Sequence, residues 1–532
     1  MNSMELDYLV IGGGSAGCVM AGRLSENPSY NIGLLEAGGQ GDSWIVKTPA
    51  AVVAMLPTTV NNYAFETVPQ SGLNGRRGYQ PRGKALGGSS AINAMAYIRG
   101  HRWDYDHWSS LGNTGWSYED LLPYFLRSEH NNAFNDAFHG QGGPLQVSDL
   151  QTDNPFQKIY LDAARQAGYP IVKDFNGAEQ EGIGIYQVTQ KNGERWSAAR
   201  GYLHPHMGVR RNLQVETRVT VTKILFEGRR AIGVECVQGG QKRVFKARRE
   251  VILCAGAFQS PQLLMLSGVG PADHLRSHGV AVLHNLPGVG QNLQDHPDFI
   301  FGYAAKSLDL LGISLGGTVR LTGDILKYIR KRRGMLSSNF AEGGGFLKTD
   351  PTLVAPDVQL HFVISLVEDH ARKLHAAHGY SCHVCVLRPK SRGQVTLRNG
   401  DALQAPDIDP AFLAHPDDME TLLKGFKMTR KLMDSPALAK VRQKDLFTAN
   451  VHTDQDIRDV LRARTDTVYH PVGTCKMGID SMAVVDPQLR VNGIQGLRVV
   501  DGSVMPTLIG GNTNAPIIAI AEKAVDLIRA SH

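Results

Sequence analysis

The sequence predicts a mixed α/β (α+β) fold in which one domain is assembled from separated segments and a second is inserted between them. Three observations predict it. At 532 residues the chain is too long for one simple core. Its opening stretch alternates strand, glycine turn, helix and strand, the order of a βαβ unit. Glycine-rich motifs suited to close approach of a large ligand recur near the start, in the middle and at the end. The segmented domain is expected over residues 1–150, 206–298 and 461–532, and the inserted one over 151–205 and 299–460.

In chain order, Tyr8–Ile11 reads as a short apolar strand, Gly12–Gly17 as the turn, Cys18–Ser25 as the helix and Asn31–Glu36 as the second strand. The turn Gly12-Gly-Gly14-Ser15-Ala16-Gly17 is a G-x-G-x-x-G. Such glycines make the tight turn, let backbone amides approach a pyrophosphate, and let helix pack on strand. The helix N-terminus then faces the phosphates with its partial positive charge. Glu36, closing the second strand, is placed to accept hydrogen bonds from ribose hydroxyls. The unit therefore reads as Rossmann-like and dinucleotide-binding, without separating FAD from a nicotinamide cofactor. A second glycine block spans Gly83–Asn93. Residues 211–255 read as strands (Gln214–Thr217, Val221–Phe226, Ala231–Val237, Arg249–Cys254), followed by a glycine turn and the helix Ser260–Leu266. Residues 300–455 are richer in loops and amphipathic segments, and a last helix runs from Ala515 to Arg529. Ser381–Leu387 reads as a strand, so Cys382 and Cys385 point to opposite faces. Their C-x-x-C spacing thus predicts two buried cysteines rather than a zinc or redox site.

Hydrophobic residues make up 42% and charged residues 20% of the chain, ordinary for a soluble globular protein. The net charge of +6 is mild. It fits an anionic cofactor or a membrane surface, and no motif supports nucleic acid as a partner. Met1–Asp7 lacks the basic region and cleavage site of a secretory leader. Apolar runs such as Ala50–Leu56 and Ala515–Ala521 fall short of the ~20 residues of a spanning helix. The expected compartment is cytoplasmic, and the oligomeric state is not legible.

Two blocks narrow the cofactor. Pro81-Arg-Gly-Lys-Ala-Leu-Gly-Gly-Ser-Ser-Ala-Ile-Asn93 and Gly256-Ala-Phe-Gln-Ser-Pro-Gln-Leu-Leu-Met-Leu-Ser-Gly-Val-Gly270 resemble the two signatures of the glucose–methanol–choline (GMC) oxidoreductase family. Tyr469-His470-Pro-Val-Gly-Thr-Cys-Lys-Met-Gly478, Val499-Val-Asp501 and Gly511-Asn-Thr-Asn-Ala-Pro516 complete the family order. The resemblance covers essentially the whole chain and leans towards the bacterial branch of choline dehydrogenases and membrane-associated alkanol dehydrogenases. It implies FAD, with the isoalloxazine ring between the domains, and an inserted substrate domain of antiparallel sheet and helices. Carried over, Gly12, Gly14, Gly17 and Glu36 hold the ADP half, with Ser15, Ala16 and Ala37 beside them and the Val221 backbone at the adenine. Tyr63 stands near the flavin, where tryptophan is common. Gly83, Leu86 and Gly88 belong to the cofactor block, Asn93 and Met95 line the ring, and Asp501, Gly502 and Thr513 meet its ribityl and pyrimidine side. Some members tether FAD through a histidine at the position of Ile92, so the resemblance implies noncovalent FAD here.

Alcohol oxidation needs a base at the hydroxyl and an acceptor for hydride. Histidine suits the first role, being largely neutral at working pH. His470, among 19 histidines, is followed by a proline, which biases its backbone to extended conformations, and the family order implies that it is the base. The resemblance puts the second polar group at Asn512, whose NH2 can donate to a developing alkoxide. Asn514, the alternative, reads as the N-cap of the last helix, with Pro516 tolerated in its first turn. A primary alcohol is the default substrate of the branch. Choline would need a carboxylate or aromatic cage, and Glu342, the candidate pocket acid, reads as structural. Leu321, Ile325 and Ile329 recur at helical spacing beside the basic run Lys327 to Arg333. Such a helix can lie on anionic lipid or pack on the inserted domain. Docking on lipid would favour a quinone or other non-oxygen acceptor, and a dehydrogenase over an oxidase. An oxidase, a choline dehydrogenase, an FAD-containing lyase and a redox-silent flavoprotein all stay open.

Overall fold

The computed structural model describes residues 6–531; the reading of the first five residues as free of a leader lies outside them. β1 (Leu6–Ile11), α1 (Ser15–Leu24) and β2 (Ile32–Glu36) form the βαβ unit. Both strands are buried along their whole length, as expected of parallel strands covered on both faces. α1 starts three residues earlier than the sequence suggests, at Ser15, because the turn closes at Gly14, whose extended backbone caps the helix.

The remaining strands of this sheet are β3 (Leu213–Thr217), β4 (Thr220–Glu227), β5 (Arg230–Gln238) and β6 (Gln241–Leu253). The order is β3-β2-β1-β6-β5-β4, with the short strand Leu497–Val499 also on β6. β6 serves two roles. Its first half pairs antiparallel with β5, and its buried second half runs parallel to β1. The sequence reading found only that second half, because the first alternates exposed charged residues. α2 (Gly256–Leu266) follows β6 directly.

A second seven-stranded sheet is wholly antiparallel. It contains β7 (Pro297–Ala305), β8 (Gly343–Leu347), β9 (Val358–Val363), β10 (His378–Val386) and β11 (Arg442–Asp445). The order is β11-β7-β10-β9-β8, continued by Gly182–Ile185 at one edge, while Asp466–Thr467 pairs with β7. Strand alternation divides its residues. Leu360, Phe362, Cys382 and Val384 enter one hydrophobic core, whereas Cys385 packs with Phe346 and Leu387 in another. The two cysteines therefore do face opposite sides. Gln359, His361 and His383 share the polar side, and that side is turned to the first sheet.

α3 (Leu315–Lys331) lies outside this sheet and α4 (Asn514–Ala530) ends the chain. α4 packs on α1, held by Glu522, which is fully buried and accepts from Arg23, Arg127 and Tyr202. Among the described residues no helix is long and apolar enough to cross a membrane.

Candidate active site

A cavity of about 380 Å³ opens between the two sheets. Gly12, Gly14, Ser15, Ala16, Glu36, Ala37 and Val221 line it, as do Tyr63, Gly83, Gly88, Asn93, Met95, Asp501, Gly502 and Thr513, together with His470 and Asn512. Two of the expected cofactor residues are not on its wall. Gly17 is packed behind the turn, where a Cβ would come within 1.9 Å of the Gly12 carbonyl oxygen, so it serves the packing of helix on strand. Leu86 is likewise off the wall: its side chain is fully buried against Gly13, where it packs beneath the turn.

The nucleotide-motif side fits the ADP half of FAD. Gly14 caps α1 without any side-chain hydrogen bond, so the first-turn N–H groups are open to an anion. Gly12 adopts φ +97°, and a Cβ there would come within 2.6 Å of the Cys254 carbonyl. The Glu36 carboxylate accepts from the Gly13 and Gly38 amides, each at 2.7 Å. Burial raises its pKa to about 7 against those two bonds, and each oxygen keeps a lone pair for a ribose hydroxyl. The Asp501 carboxylate is already engaged by the Gly256 amide, Ser260 Oγ and the Ser503 amide, so it braces the wall.

The reading of Asn514 as a helix cap is corrected by the structure. The cap is Thr513, whose backbone is itself helical, and Asn514 is the first residue of α4. Its Oδ1 accepts from Ser15 Oγ at 2.7 Å. That bond ties the starts of α1 and α4 together at the cavity, so two positive helix ends converge there.

His470 stands on a segment held rigidly. Tyr469 before it has φ +77° and Gly473 after it φ +94°, left-handed values that turn the chain on both sides. The His470 amide donates to Asp295 Oδ1 at 2.9 Å, and Thr467 Oγ1 donates to Asp295 Oδ2 at 2.6 Å. The residue is buried, 8% exposed. Its Nε2 lies 3.2 Å from Asn512 Nδ2 and its Nδ1 lies 3.0 Å from His296 Nδ1. Burial, reinforced by His296, His361 and Arg82, drives the His470 pKa well below that of free histidine. At neutral pH the ring is an uncharged base.

Several groups here went unnoticed in the sequence. His361 and His383 line the same cavity, and His383 Nδ1 is 2.6 Å from Asp298 Oδ2. Gln359 donates to Asn512 Oδ1 at 3.0 Å. His296, like His470, precedes a proline, but so do His204 and His415, so the dipeptide selects none of them. Glu342 is absent from the wall. It is fully buried, accepts from Ser338 Oγ at 2.6 Å and Gln157 Nε2 at 2.7 Å, and braces the turn that presents Asn339, Phe340 and Ala341 to the cavity.

Family models described as GMC oxidoreductase match residues 6–298 and 389–521. The chain is 45% identical to the alcohol dehydrogenase [acceptor] of Pseudomonas putida, over 98% of this chain and 95% of that protein. It is 44% identical to the mitochondrial choline dehydrogenase of Homo sapiens, over 99% of this chain and 90% of that one. Among solved structures it resembles the formate oxidase of Aspergillus oryzae RIB40, studied for modification of its FAD. That match has a TM-score of 0.92 at 27% identity and covers 100% of this chain and 99% of the other.

Proposed function

The chain belongs to the GMC oxidoreductase family, FAD enzymes acting on alcohols, and from that premise we propose that it oxidises an aliphatic primary alcohol to the aldehyde. The observation that carries this is the pairing of an uncharged, buried His470 with Asn512 on a largely apolar wall. Val52, Leu56, Phe340, Val363 and Leu366 contribute to that wall. Among the described residues its carboxylates are Glu36 and Asp501, one beside the nucleotide motif and one bound to α2. Neither is free to balance a quaternary ammonium, which favours an uncharged alkanol over choline.

Bound FAD supplies the hydride acceptor, its N5. The chain supplies the rest. His470 Nε2 takes the hydroxyl proton, and the Asn512 NH2 donates to the alcohol oxygen as charge develops there. Anaerobic mixing tests the reading. A 1-alkanol should bleach the flavin and choline should do so far more slowly. His470→Ala should slow bleaching by roughly 10²-fold or more, and Asn512→Ala should slow it with little change in alcohol binding. Near-normal reduction in the histidine variant would overturn the assignment.

For the acceptor we propose a quinone reached at an anionic membrane surface on the cytoplasmic side. α3 presents Leu315, Val319, Leu326 and Ile329 on one face, 90%, 76%, 49% and 64% exposed. Arg320, Lys327 and Lys331 stand on the opposite face. Tyr328 is its buried anchor. Residues 335–337, just after α3, pack on residues 49–51, which lead into Val52 and Val53 of the cavity wall.

A further inference from the structure

Two chains of hydrogen bonds, each starting from a backbone carbonyl, converge on His470 from opposite sides. A carbonyl oxygen can only accept, so each chain has a fixed polarity.

The first chain starts behind the ring. His296 Nε2 lies 3.1 Å from both the Leu387 and the Ile509 carbonyl oxygens. Facing two acceptors, Nε2 must carry a hydrogen. His296 is fully buried, and burial lowers its pKa to about 3, so it is neutral and its Nδ1 is bare. That bare nitrogen faces His470 Nδ1 at 3.0 Å, and the contact is a hydrogen bond only if His470 Nδ1 is the donor.

The second chain starts at the Leu360 carbonyl, which accepts from the Tyr186 hydroxyl at 2.6 Å. With its hydrogen committed, that hydroxyl can only accept from Gln359, 3.1 Å away. The same Gln359 NH2 donates to Asn512 Oδ1 at 3.0 Å, which turns the Asn512 NH2 towards His470 Nε2 at 3.2 Å. An NH2 can only donate, so Nε2 must be bare. Both chains demand the same tautomer.

We propose that His296 is a positioning residue which, with Gln359 aligning Asn512, locks His470 in the Nδ1–H tautomer and keeps its Nε2 unprotonated, so that the alcohol hydroxyl can take the place of the Asn512 N–H on that lone pair. The role rests on the alcohol-oxidising reading. In the reaction the proton leaves the hydroxyl for Nε2, the C–H electron pair leaves as hydride to bound FAD, and the carbonyl bond forms. The Nδ1–H bond to His296 holds the resulting imidazolium in place. Without His296 only the Asn512 contact still disfavours a proton on Nε2, and a ring that carries one there could no longer accept the hydroxyl proton.

Two measurements test this on the holoenzyme. The first is substrate-free. In histidine-15N-labelled protein, signals lost in His470→Ala identify the ring, and its Nε2 should resonate as an unprotonated nitrogen. A protonated Nε2 would overturn the proposal, whatever the substrate proves to be. The second compares His296→Phe, which keeps ring bulk without nitrogen, with His296→Asn, which restores an oxygen near the Nδ1 position. The Phe variant should lose about 100-fold in the limiting rate of anaerobic flavin reduction, with alcohol affinity unchanged within a few-fold. The Asn variant should recover at least about a tenth of the wild-type rate. Equal impairment of the two, or a wild-type rate in the Phe variant, would show a packing role instead. If His470→Ala itself reduces normally, the alcohol-oxidising reading fails, while the 15N result still reports the tautomer.

Discussion

At the scale of single residues, the site depends on keeping charge off one imidazole. His470 loses solvation on burial, and His296, His361 and Arg82 each oppose a further positive charge nearby. A lowered histidine pKa means that the neutral form, the one able to take a proton, persists as pH falls. With alcohol as substrate, kcat/KM should therefore stay flat from about pH 8 down to about pH 6.5, where an unperturbed histidine would be half protonated. A titration with its midpoint at pH 6.5 or above would contradict this. Below that range Asp295 enters, since burial raises its pKa to about 6 and its carboxylate holds the His470 amide. Asp295→Asn should remove any limb that this acid contributes. Of these groups only His470 and Asn512 were legible in the sequence, because family order located them. His296, Gln359 and His361 act through contacts between segments far apart in the chain, which no local pattern records.

At the scale of elements, the sequence was informative wherever one strand or helix had its own periodicity. The βαβ unit, the helix after β6 and the closing helix were all readable, with ends shifted by a few residues through cap geometry. The polar side of the antiparallel sheet was not. Gln359 and His361 alternate with apolar neighbours, as do Ser381 and His383, but alternation alone does not say whether the polar face meets water or a cofactor cavity. α3 is the converse case. Its amphipathic pattern is legible, and the structure leaves Leu321, Ile325 and Ile329 partly exposed, at 41%, 40% and 64%, while Tyr328 anchors the helix. An exposed apolar face opposed by a basic one is the pattern of a helix lying on anionic lipid. The protein should bind vesicles containing phosphatidylserine and ignore neutral ones. Each basic residue contributes about 1 kcal/mol near such a surface. Lys327→Glu with Lys331→Glu should therefore weaken binding by at least ~10-fold, leaving reduction by a soluble alcohol intact. Wild-type protein that does not sediment with anionic vesicles would remove the membrane reading.

At the scale of the whole molecule, the cavity is built from segments scattered along the chain and exists only when both sheets are folded together. The wall takes Gly12 and Glu36 from the first βαβ unit, Tyr63 from the segment ahead of the glycine block, Asn93 from that block, Val221 from β4, His361 and His383 from the second sheet, and Asp501 and Asn512 from near the chain end. A ligand that binds only this assembled form stabilises the entire fold, by about 2.7 kcal/mol at a hundredfold excess over its Kd. The linkage is reversible only if nothing bonds the ligand covalently. Ile92, on the cavity wall and 3% exposed, holds the position where the family resemblance implies a tethering histidine in some members, and a saturated hydrocarbon side chain has no nucleophile to offer. Acid precipitation, which destroys the assembled cavity, should accordingly leave all flavin absorbance in the supernatant. Protein stripped of FAD under milder conditions should melt several degrees lower, and added FAD should restore the original midpoint. Flavin retained in the acid pellet would mean that a residue other than Ile92 forms the bond, and the melting midpoint would then no longer depend on added FAD.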